Sequence, residues 1–117
     1  MARIETAGDR LVVTLEGWGQ VWALKRRIEV PLASVRAATV NRDPDLKPHG
    51  FRAPGSYVPG VIAAGTYRKR GAKEFWSVRD ALKAVVIDLA GAEYDQLVVQ
   101  VPDPHATAAE IQRAIAA

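Results

Sequence analysis

Histidine, serine and paired carboxylates are the groups through which this chain could do acid–base or nucleophilic chemistry, and their spacing decides the matter. Only two histidines are present, His49 and His105. His49 follows Asp43-Pro44-Asp45, so it could couple with Asp43 or Asp45 as an acid–base pair. A solvated loop histidine is the blander reading, because no second histidine or cysteine lies close by. Asp43 and Asp45, separated by Pro44, suit a turn. As oxygen donors for a hard cation they lack the glycine and the terminal glutamate of a calcium loop. Ser56 sits in Gly55-Ser56-Tyr57, without the flanking glycine pattern of a nucleophile elbow. No lysine follows a glycine run in the manner of a phosphate cradle. The chain has no cysteine, which removes thiolate nucleophiles, disulfides and cysteine-ligated zinc together. The expectation is a chain with no catalytic residue, no metal site and no cofactor, and so not an enzyme.

Binding chemistry has two better carriers. Arg68, Lys69 and Arg70, with Lys73, crown an expected hairpin, and Lys25-Arg26-Arg27 precedes an expected strand. Such charges can contact phosphates, and Tyr67, Phe75 and Trp76 beside the first cluster could stack on bases. Against this, aromatics at strand positions usually pack in a core, and hairpin tips are often charged for solubility. The second carrier is the Pro- and Gly-rich segment 41–60, where Phe51, Arg52 and Tyr57 stand among prolines. Prolines restrict the unbound chain, which reduces the entropy lost on docking, and exposed aromatics make good anchors. Alternatively, Phe51 and Tyr57 tuck back to cover a gap in the fold.

These residues must be positioned by strands. Alternation over 3–6 and 10–16, with Ala7-Gly8-Asp9 between, predicts a β-hairpin. Trp18, Val21 and Trp22 have the spacing of one short helical turn. Strands follow at 26–30 and 35–40, with Pro31 marking a bend or an edge. Seven glycines and prolines over 41–60 leave no regular element in that segment, which is read as a loop of about twenty residues. Beyond it, strands at 61–67 and 74–79 flank a turn at 68–71. Strands at 83–89 and 96–101 flank a turn at 90–93, completing an antiparallel meander. Asp103 is a good N-cap and Pro104 belongs at the first helical position, although Thr107 to Glu110 also fits a capping box. Ala108, Ile111 and Ile115 would form the buried stripe of that helix.

At 117 residues, 49% of them hydrophobic and 25% charged, the chain matches one globular domain over 1–117. No stretch approaches the 18 or so apolar residues of a membrane span and no signal-peptide core is present, so the cytoplasm is expected. Charge is uneven. Residues 1–79 hold 14 Lys and Arg against 7 Asp and Glu, whereas 80–117 hold 2 against 6. That asymmetry suits an anionic partner or head-to-tail contact between copies, unless the sheet interleaves the two parts.

About seven antiparallel strands closed by one C-terminal helix is the order of a pleckstrin-homology-like (PH-like) barrel. The segments 50–60, Ala64-Gly65-Thr66-Tyr67, Phe75-Trp76 and Val101-Pro102-Asp103-Pro104 resemble those of an uncharacterised bacterial group of such domains. The resemblance implies two orthogonal sheets plugged by the helix, and a binding-module class without a specified ligand. Phosphoinositide binders of that fold carry Lys and Arg around the first hairpin, where this chain offers only Asp9 and Arg10. The expected function is a non-enzymatic module that binds a protein or a second copy of itself through Phe51, Arg52 and Tyr57. The alternative is weak binding of nucleic acid or an acidic lipid surface through Arg68, Lys69, Arg70 and Lys73.

Overall fold

Strand β1 (Ala2–Ala7) and strand β2 (Arg10–Leu15) pair in register from Ala2↔Leu15 to Ala7↔Arg10, leaving Gly8 and Asp9 as a two-residue turn. Gly8 supplies the positive φ, 63°, that such a turn requires. Strand β3 (Arg27–Pro31) pairs with β2 and completes a three-stranded sheet. One face of that sheet, formed by Leu11, Val13, Ile28 and Val30, is buried, as the alternation requires. The structure is a computed structural model and describes residues 2–15, 27–42, 51–58, 62–69, 71–78 and 80–116. The expected helical turn at Trp18, Val21 and Trp22 lies outside the described residues.

A single 3-10 turn, Leu32–Ser34, carries the chain from β3 into β4 (Val35–Val40) and so from one sheet to the other. Its ends are tied to both sheets: the Leu32 N–H donates to the Asp9 carbonyl (2.8 Å), and the Ala90 N–H donates to the Ser34 carbonyl (2.8 Å). A register shift between Val35 and Ala37 then lets Val35 and Ala38 both face inward although they are three positions apart.

The second sheet has six described strands. After β4 these are β5 (Phe51–Val58), β6 (Ile62–Lys69), β7 (Ala72–Val78), β8 (Ala84–Leu89) and β9 (Gln96–Gln100), in the spatial order β4-β8-β9-β7-β6-β5. Four expectations are corrected here. Residues 51–58 are a strand, not part of a structureless loop. Pro54 is accommodated because β5 stands at the end of the described strand order and its pairing with β6 skips Ala53 and Pro54 through a register shift, so no ladder hydrogen bond to β6 is asked of Pro54. Arg68 and Lys69 belong to β6 rather than to the turn, in which Gly71 has φ 83°. The described strands number nine, and they form two separate sheets rather than a closed barrel. Finally, β7 and β9 run parallel, so the sheet is not an antiparallel meander.

That last departure has a physical cause in β9. Leu97 and Val99 face one side and Val98 and Gln100 the other, and all four are buried. A strand apolar on both faces needs an interior position. β9 therefore inserts between its hairpin partner β8 and β7. The connection from β7 to β8 passes the end of β9 and is fastened to it. The Asp80 N–H donates to Gln100 Oε1 (2.7 Å), and the Val101 N–H donates to the Lys83 carbonyl (3.1 Å).

Helix α1 (Pro104–Ala116) starts where the cap signal places it. Asp103 Oδ1 accepts from the Ala106 N–H (3.1 Å) and the Asp103 carbonyl from the Thr107 N–H (3.0 Å), so the start at Thr107 is not used. Ala108 and Ile111 are buried and Ile115 packs against the same core, between the two sheets. No helix among the described residues is long and apolar enough to cross a membrane.

Two substitutions should move stability in opposite directions. Ser77 is fully buried and its Oγ has no hydrogen-bond partner among the described residues. An unmet buried hydroxyl costs about 1–3 kcal/mol, so Ser77→Ala should stabilise the fold by about 1 kcal/mol. Asp103→Ala removes the cap and should destabilise it by about 1 kcal/mol. Urea unfolding followed by circular dichroism measures both; equal midpoints would contradict these assignments.

Candidate functional site

The strands at the β5 end of the large sheet bring together positions that are distant in sequence. Phe51 pairs with Arg68, and Arg68 with Lys73, so the aromatic start of β5 and the basic hairpin share one row. In the next row Arg52 pairs with Tyr67 and Tyr67 with Glu74, while Tyr57 lies at the far end of β5 opposite Ala63. The two candidate surfaces of the sequence are thus neighbours on one sheet. Sequence reasoning missed this because it took residues 51–58 as loop; the alternation hidden by Pro54 and Gly55 was the available signal. Arg70, like Asp43, Asp45 and His49, lies outside the described residues, as do Lys25 and Arg26.

Lys73 is not a free cation. Its Nζ stands 3.8 Å from Glu93 Oε1 and 4.8 Å from the centre of the Tyr94 ring. Its backbone is held as well: the Lys73 N–H donates to Asp95 Oδ2 (2.7 Å), and the Lys73 carbonyl accepts from the Asp95 N–H (2.7 Å). Asp95 also accepts from the Leu89 N–H through its carbonyl (2.9 Å), so one residue ties β7, β8 and β9 together. This is a place where the basic and acidic parts of the sequence meet within the fold. Arg27, from the other basic cluster, is paired with Glu29 at 3.6 Å.

The aromatics that flank the basic hairpin are core residues. Tyr67 and Trp76 are buried on the sheet face that also carries Val78 and Val98, and they meet edge to face at 6.4 Å. Trp76 Nε1 donates to Glu74 Oε1 at 3.0 Å. Phe75 is buried on the opposite face against Tyr94, with ring centres 5.8 Å apart. None of the three is exposed for stacking on a base.

Described residues line two clefts large enough to hold a small molecule. One, on the outer face of the first sheet, is lined by Arg3, Glu5, Val12, Thr14 and Arg27 and has a volume of about 560 Å³. The other lies between α1 and β4, is lined by Thr39, Val40, Arg42, His105, Ala108 and Gln112 among others, and measures about 360 Å³. Among the described residues no cluster of three His, Asp or Glu is placed to hold a metal ion.

The Asp95 junction predicts a local effect. Asp95→Ala should destabilise the protein by about 1 kcal/mol and speed hydrogen exchange at the Lys73 amide. Asp95→Asn, which keeps an acceptor, should do so less; identical exchange in parent and both variants would remove the junction's importance. Comparison with protein-family models, with curated proteins and with solved structures finds no match to this chain.

Proposed function

We propose that this chain is a non-enzymatic interaction module that takes a protein partner, or a second copy of itself, along the outer edge of β5. The observation that carries this reading is the place of β5 at the end of the six-stranded sheet, with no described strand on its other side. An edge strand is a template for pairing with another chain, and at eight residues β5 is longer than the usual strand of about five or six. Phe51 and Arg52 at one end and Tyr57 at the other supply residue types enriched among interface anchors. The register shift at Ala53 and Pro54 breaks the ladder, so an added strand would pair with the stretches on either side of it.

The opposite edge of the same sheet is blunted. Helix α1 packs on β4, and Gln112 Nε2 donates to the Ala38 carbonyl (2.6 Å). The outer strands of the small sheet carry Arg3 paired with Glu5 (3.0 Å) and Arg27 paired with Glu29, with Pro31 ending β3. The alternative reading, an anion binder through Arg68, Lys69, Arg70 and Lys73, is weakened by the commitment of Lys73 to Glu93 and Tyr94. Two sheets and a C-terminal helix agree with a PH-like frame, which we retain as part of this proposal. The open sheets and the parallel β7–β9 pair depart from that frame, so the functional reading rests on the β5 edge.

Size-exclusion chromatography with light scattering, at low and high salt, tests it directly. The parent should assemble at both salts or retain a protein from lysate, and Phe51→Ala with Tyr57→Ala should weaken either association about tenfold. Assembly confined to low salt would favour charge contacts instead. Association unchanged in the double variant, or none in the parent, would overturn the β5 reading.

A further inference from the structure

We propose that the cleft between α1 and β4 binds a small organic anion, its phosphate or carboxylate head held by Arg42 and His105 and its apolar part against Val40 and Ala108. These four residues line the cleft together with Thr39 and Gln112. At about 360 Å³ it falls within the size range of small-molecule sites.

The sequence builds this space in a simple way. Ala108 and Ala109 are small, so their side chains fill little of the space beside the end of β4. The Asn41 N–H donates to the Ala84 carbonyl (3.0 Å), fixing the backbone just before Arg42. His105 is the second residue of α1 and is exposed at the same end. Gln112 holds the opposite wall through its bond to the Ala38 carbonyl.

Charge separates this cleft from the other. On the outer face of the small sheet, Glu5 is part of the lining, and Arg3 and Arg27 are already neutralised by Glu5 and Glu29. None of the described residues that line the α1–β4 cleft is a carboxylate. Neither Arg42 nor His105 has an ion pair or side-chain hydrogen bond among the described residues. The nearest acid in sequence to His105, Asp103, is engaged on the Ala106 N–H. Glu110 is exposed on α1 but is not part of the lining. An anion entering here would meet two donors that no described residue pairs, with Thr39 in the same lining.

The test is a nitrogen-15 NMR titration of the full chain with inorganic phosphate, phenyl phosphate and benzoate. Saturable shifts confined to residues 39–42 and 105–112 are expected, with phenyl phosphate binding more tightly than inorganic phosphate. Arg42→Ala should weaken phenyl phosphate about tenfold, and Arg42→Lys less, because a guanidinium offers two parallel donors. Both Arg42 and His105 are exposed, so these variants should fold, and an unchanged circular dichroism spectrum confirms it. Shifts that fail to saturate by about 10 mM, ten times a millimolar dissociation constant, would overturn the site. So would shifts centred on residues 68–73, equal affinity for phenyl and inorganic phosphate, or indifference to both Arg42→Ala and His105→Ala. The outcome is independent of any association at β5, which lies at the other end of the sheet order.

Discussion

Strand β9 is apolar on both sides, and the large sheet is arranged around that constraint. Leu97 and Val99 contribute to the main core with Phe75, Val85 and Ile87, while Val98 joins Tyr67, Trp76 and Val78 on the far face. Burying a side chain of this size contributes about 1.5–3 kcal/mol, far more than the small difference between parallel and antiparallel pairing. The strand therefore takes the interior place, and β7 accepts it in parallel. Lys73 and Asp95 lock the entry to that pair, Gln100 and Asp80 its exit. Both faces of β7 are committed as well, which is why Trp76 and Phe75 can both be buried although adjacent.

Most of the local structure was legible in the residues. The hairpin at Gly8, strand β4, the stripe of α1 and its cap at Asp103 all follow from short-range rules of alternation and capping, and those rules act within a few residues. What escaped was long-range. The pairing of β9 with β7 depends on Val98, whose burial on the second face is invisible to a reading that follows only Leu97, Val99 and Val101. Strand β5 escaped because Pro54 and Gly55 look like breakers until an edge position and a register shift absorb them. The α1–β4 cleft escaped for a similar reason: Arg42 and His105 stand far apart in the chain and meet only through the docking of the helix.

The same packing sorts the charged and aromatic residues into structural and available ones. Tyr67, Phe75 and Trp76 are consumed by the two cores, and Lys73 by the turn that precedes β9. Arg3 and Arg27 are spent on glutamates of their own strands. Arg42 and His105 stay outside these pairings, at a corner where a strand ends and a helix begins. A basic composition is thus a poor guide to where this protein would meet an anion, because Arg3, Arg27 and Lys73 are paired with glutamates of the chain itself.

The crossing of the β7–β8 connection over the end of β9 also bears on how the chain reaches its native state. The β8–β9 hairpin is local and can close early, whereas the β7–β9 pair must wait until all of β8 has been laid down and turned back. Closing a longer loop before its contacts form is entropically slow. The hairpin would then dock as a unit against β7, with Asp95 arriving at Lys73 as the last stitch. Until it does, β7 exposes an open edge beside Trp76, the kind of unpaired edge that another chain can occupy.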